Sequence, residues 1–104
     1  DACDRNNPRG VKIGGLFAHL RGHTFVTRLS EHADTSDASQ DGFRSPLLLC
    51  EDSRLLGPAH SVHDRIHNEG RGRYSHWGDT LLFSTSDNTD PNENGRSYRF
   101  VIGE

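Results

Sequence analysis

Thr24-Phe25-Val26-Thr27-Arg28-Leu29-Ser30 alternates, with Phe25, Thr27 and Leu29 on one side and Val26 and Arg28 on the other. Successive side chains of an extended chain point to opposite faces, so this pattern makes a strand with one face on a core. Working outward, the same period returns in Ser97–Ile102, where Tyr98, Phe100 and Ile102 share a face, and a further strand reads over Thr80–Thr85. Leu47-Leu48-Leu49-Cys50 is a short unbroken apolar run, the form a buried strand takes. Val11–Phe17 is apolar but interrupted by Gly14-Gly15, which predicts a strand with a bulge or sharp bend, and Arg21-Gly22-His23 fits a hairpin turn. The Leu81/Phe83 and Tyr98/Phe100 strands are expected to pair as a hairpin across the polar loop Ser86–Arg96. One segment reads as helix: Ser61 as N-cap, Val62 and Ile66 on one face, Gly70 past the end. The expectation is a mainly β fold, a small sandwich or twisted antiparallel sheet of five or six strands with one short helix. It forms a single domain over 1–104, with an N-terminal arm at 1–10 and a long polar loop at 31–46.

The 104 residues (11.6 kDa) are 31% hydrophobic and 26% charged, with mean hydropathy −0.80. Apolar material is scarce for a domain of this size, which must bury roughly two-thirds of its unfolded surface. The longest apolar run is Leu47–Cys50, which excludes a membrane-spanning helix. A net charge of −3 without a basic block argues against a nucleic-acid surface. The chain opens Asp1-Ala2-Cys3 and contains no Met, as a processed mature protein or a trimmed one would. Cys3 and Cys50 allow one disulfide, which would close a loop of about 47 residues and contribute roughly 3–4 kcal/mol on the chain-entropy model. The alternative is two thiols in a reducing compartment; a core-poor chain gains most from the bridge, which points to an extracellular or cell-surface protein.

Three motifs invite a metal or catalytic reading. His63-Asp64-Arg65-Ile66-His67 puts two imidazoles at i and i+4, the spacing of an HExxH zinc helix with Asp in place of Glu. An exposed polar helix face is the plainer alternative. Asp90-Pro91-Asn92-Glu93-Asn94-Gly95 matches the start of a calcium loop, with Asp90, Asn92 and Asn94 as ligands, but Val101 stands where the bidentate Glu belongs. Any wide turn uses the same residues. Asp34, Asp37 and Asp41 could gather around calcium or simply coat a solvated loop. No G-x-S-x-G elbow or phosphate loop occurs, so ordinary hydrolase chemistry is not indicated and the chain reads as a non-enzyme.

The densest remaining cluster is Arg73-Tyr74-Ser75-His76-Trp77-Gly78, followed by Asp87, Asn88 and Arg96. An aromatic ring can cover the C–H face of a pyranose while planar polar groups pair with its hydroxyls. Arg73, Tyr74, His76, Trp77, Asp87, Asn88 and Arg96 are therefore the candidate ligand-binding residues. The competing reading makes Trp77, the one Trp of the chain, a packing residue.

Ser45-Pro46-Leu47, Glu51-Asp52, Leu56-Gly57-Pro58-Ala59-His60-Ser61, Gly72–Gly78, Phe83–Asn88, Asp90-Pro91 and Asn94–Tyr98 together resemble a small module of bacterial proteins that make or modify surface polysaccharides. In those proteins it stands beside glycosyltransferase and methyltransferase domains. The resemblance covers about half the chain and implies association with polysaccharide, not a catalytic role. The expected function is a non-catalytic extracellular module that binds glycan through an aromatic and polar face. Two alternatives are a self-assembling fibre or sheath subunit, whose partner is another copy of the chain, and a zinc hydrolase using His63 and His67.

Overall fold

The alternation of Leu47, Leu49 and Glu51 against Tyr98, Phe100 and Ile102 decides where the core lies. Strands β4 (Leu47–Glu51) and β8 (Tyr98–Ile102) pair antiparallel, with Leu47 opposite Ile102, Leu49 opposite Phe100 and Glu51 opposite Tyr98. The computed structural model describes residues 1–14, 16–37 and 45–103. Within them β1 (Val11–Lys12), β8, β4 and β5 (Arg54–Leu55) form one four-stranded sheet in the order β1-β8-β4-β5. A second four-stranded sheet runs β2-β3-β7-β6, from β2 (Ala18–Arg21), β3 (Thr24–Arg28), β7 (Thr80–Phe83) and β6 (Tyr74–Trp77). The fold is mainly β, two antiparallel sheets with one short helix, α1 (His63–Asn68).

Phe17, Phe25, Leu47, Leu49, Tyr74, Leu81, Phe83, Tyr98 and Phe100 fill the space between the sheets. The Phe17, Phe83 and Tyr98 rings meet one another with centroids 5.2 to 5.6 Å apart, an aromatic nucleus that compensates for few aliphatics. Burial pushes the Tyr74 phenol up to about 12, and its hydroxyl donates to the Leu47 carbonyl at 3.1 Å across the gap.

On the outer face of the first sheet, Cys50 and Val101 lie with Leu48 beneath Cys3, which is disulfide-bonded to Cys50. Arg99 holds the same arm by donating to the Cys3 carbonyl (3.0 Å) and the Asp52 carbonyl (3.1 Å). On the outer face of the second sheet α1 lies against β6 and β7 with Ile66 fully buried. The free edge of β6 is covered: Ser61 N–H donates to the Tyr74 carbonyl and Asp37 N–H to the His76 carbonyl. Strand β2 is exposed along its whole length.

Five local expectations are corrected. Strands β7 and β8 do not form a hairpin; they belong to different sheets, and Phe83 and Tyr98 face each other across the core (5.4 Å between centroids). Both carry one apolar face, and that face serves packing between sheets as well as it would serve pairing within one. Among the described residues of Val11–Phe17 the strand takes in Val11–Lys12, and β2 of the second sheet begins at Ala18. Strands β2, β5 and β6, which the alternation does not announce, raise the number of described strands to eight, above the five or six expected. Ser61 does not cap α1; the N-cap is Val62, and Ser61 Oγ donates to the Pro58 carbonyl instead. The loop at 31–46 contains a 3-10 helix, Ser30–Thr35. Gly15 and Asp41, invoked for a bend and for calcium, lie outside the described residues.

Candidate functional site

Period-two alternation in β6 sends Tyr74 and His76 inward and Ser75 and Trp77 outward. Helix α1 covers the outer face over Ser75, which is buried, but its N-terminal turn stops beside Trp77, which stays 45% exposed. The His63 imidazole meets the indole nearly perpendicular, 5.2 Å between centroids. His60, Ser61, Val62, His63, Asp64, Ser75 and Trp77 line a cleft of about 450 Å³. His60 is fixed at its wall by a buried carboxylate: Nδ1 lies 2.9 and 2.8 Å from the two oxygens of Asp37. Asp37 also accepts the Ser45 N–H at 2.8 Å, so the ring it holds is set by the backbone. Burial, then the neighbouring His67, pushes the His63 imidazole below its ordinary value and favours the neutral ring.

A second cleft, about 370 Å³, is lined by Glu51, Asp52, Ser53, Arg54, Ser86, Asp87 and Arg96. Arg96 forms a two-pronged pair with Asp87 (2.8 and 2.9 Å) and lies 3.5 Å from Glu51. That guanidinium, with the Thr89 hydroxyl, holds the Asp87 carboxyl far below the usual carboxylate range. Glu51 is buried and accepts from Ser86 Oγ (2.6 Å), Ser86 N–H (3.2 Å) and the Tyr98 hydroxyl (2.8 Å).

The candidate ligand-binding residues thus divide. Trp77 stands in the first cleft; Asp87 and Arg96 stand in the second. Tyr74 and His76 are interior, with His76 Nδ1 at 2.6 Å from Ser45 Oγ. Among the described residues His76 Nε2 has no hydrogen-bond partner. Arg73 and Asn88 brace the turn after α1: Arg73 donates to the Gly70 carbonyl, and Asn88 accepts the Arg71 N–H while donating to the Glu69 carbonyl.

Asn92 and Asn94 spend their side-chain oxygens on the N–H groups of Phe17 and Arg96, and Asp90 Oδ1 accepts the Asn92 N–H. This donor set therefore suits a turn better than an ion. His67 Nδ1 is engaged with Thr24 Oγ1 at 2.6 Å. Among the described residues no three His, Cys, Asp or Glu side chains are gathered as a metal site.

The sequence offers Asp37 only as a calcium candidate, whereas the structure pairs it with His60 and the Ser45 N–H; Glu51, His60 and Ser86 enter only through the polysaccharide-module motifs. Glu51 was detectable, as a carboxylate at an inward position of the Leu47, Leu49 alternation. The Asp37–His60 pair carries no local signal, because the fold alone brings together residues so far apart in the chain. Fold and clefts together define a disulfide-linked two-sheet β protein with an aromatic cleft on one outer face. The chain matches no protein-family model, no curated protein and no solved structure.

Proposed function

We propose that this protein is a non-catalytic extracellular module that binds glycan, with Trp77 as its platform. The half-exposed indole on the wall of the Trp77 cleft carries the reading. A large apolar ring left open to solvent in a chain this poor in apolar residues forgoes burial worth about 2 kcal/mol. A ligand that covers it regains that energy. The polar groups around it, Ser61, Asp64 and the His60 imidazole oriented by Asp37, offer donors and acceptors to sugar hydroxyls. The hydroxyl–imidazole pairs Ser45–His76 and Thr24–His67 have buried hydroxyls, which suits packing rather than attack on a substrate. The polysaccharide-module motifs of Ser45–Tyr98 and the Cys3–Cys50 bridge support the same reading and an oxidising compartment.

The test is a glycan array followed by calorimetry on wild type and Trp77→Ala. Removal of the platform is expected to weaken binding at least about tenfold, or 1.4 kcal/mol, with an unchanged circular dichroism spectrum. Equal binding by the variant would exclude Trp77 as the contact surface.

A further inference from the structure

Arginine supplies eleven of the twelve basic residues of this chain, and among the described residues no Arg or Lys lines the Trp77 cleft. The contrast with the second cleft is sharp, since Arg54 and Arg96 both line that one. Arg28, which shares the outer face of the sheet with Trp77, lies two strands away, roughly 10 Å, and is paired with Asp79. Among the described residues the carboxylates at the Trp77 cleft are Asp64, exposed at the rim, and Asp37, buried behind His60. Burial favours the neutral form of His63, the ring in contact with Trp77.

This arrangement has a definite preference. An open indole face attracts a cation through the ring quadrupole, and a rim carboxylate adds to that attraction. Among the described residues lining the cleft, an acidic sugar would meet Asp64 with no Arg or Lys to offset it. A neutral sugar would gain the stacking alone. Resting on the glycan reading above, we infer that the Trp77 cleft selects an amino sugar with a free, protonated amine, held between the Trp77 ring and the Asp64 carboxylate.

The probes are three oligosaccharides of equal length: a β-1,4-glucosamine tetramer, its fully N-acetylated counterpart and a galacturonic acid tetramer. Each is titrated calorimetrically at pH 6.0 into wild type, Asp64→Asn and Trp77→Ala. The free amine is expected to bind about tenfold more tightly than the acetylated form, and the acidic tetramer least. Asp64→Asn, an isosteric change on an exposed helical residue, should bring the two glucosamine forms to within about twofold. Trp77→Ala should lose both. Equal or tighter binding of the acetylated tetramer to wild type overturns the charge assignment and leaves the glycan platform standing. Retained discrimination in Asp64→Asn assigns the selectivity elsewhere and also overturns it. Binding of none of the three would sink this inference, whereas the array decides the platform itself.

Discussion

Gly22 and Gly78 share left-handed backbone, with φ of +54° and +61°, but not the same surroundings. A methyl group on Gly78 would meet nothing within 4 Å, whereas one on Gly22 would overlap the backbone carbonyl of His67. That carbonyl accepts the His23 N–H and ties α1 to the β2–β3 turn, so it cannot swing aside. Gly78→Ala is expected to cost about 1 kcal/mol, the backbone strain alone. Gly22→Ala adds overpacking against main chain and should cost about 3 kcal/mol. Urea melts of the two variants check the difference; equal midpoints would show that the α1 docking point yields. Proton binding by His63 and His76 makes a second prediction. Burial lowers both imidazoles first, so in the folded state they take up protons below the unfolded value of about 6.5. Below that pH the unfolded chain holds more protons, and stability present above about pH 6.5 is lost as the pH falls through the window beneath it. Denaturation at pH 7.5 and 5.5 should reveal the drop, and His76→Asn should shrink it. A wild-type profile flat over this range would refute the assignment.

The two sheets are joined at one end by a clamp between strands rather than by apolar contact alone. Glu51 on β4 reaches Ser86, the residues after β7, and the Tyr98 hydroxyl on β8. An amide oxygen could keep the Ser86 N–H and the Tyr98 hydroxyl, but its nitrogen would then face the Arg96 guanidinium, a donor 3.5 Å away, and the ion pair would be lost. Glu51→Gln is expected to cost about 2 kcal/mol, read from the urea midpoint; an unshifted midpoint would reduce the clamp to a surface contact. Strand existence at this scale was legible in residues such as Phe25, Leu29, Tyr98 and Phe100, whose alternation survives folding intact. Strand partnership was not. Leu81 and Phe83 present an apolar face that satisfies pairing or stacking equally, and only the long-range register of β3 on β7 removes the ambiguity. Glycan-site candidates followed the same division: Trp77 lies on the open side of β6 while its neighbours Tyr74 and His76 alternate into the core. A period-two reading of Tyr74–Trp77 as a strand would have separated them.

For the molecule as a whole, the N-terminal arm acts as a strap. Cys3 is fully buried and bonded to Cys50, and with Arg99 it roofs the outer face of the first sheet over Val101. Opening the bridge frees the 47-residue separation it spans and should cost about 3–4 kcal/mol. Denaturation with and without reductant checks the figure, and protease should cut the first ten residues only after reduction. A reduced protein as stable as the oxidised one would show that the arm is held by its hydrogen bonds. One further consequence concerns how the chain is made. Strand β8 sits between β1 and β4, yet among the described strands it leaves the ribosome after all the others. A nascent polypeptide therefore carries β1 and β4 without their shared neighbour until synthesis has passed Ile102. Its cysteines, by contrast, have both emerged long before, so under oxidising conditions their coupling can precede sheet closure and hold β4 ready for the strand that arrives later.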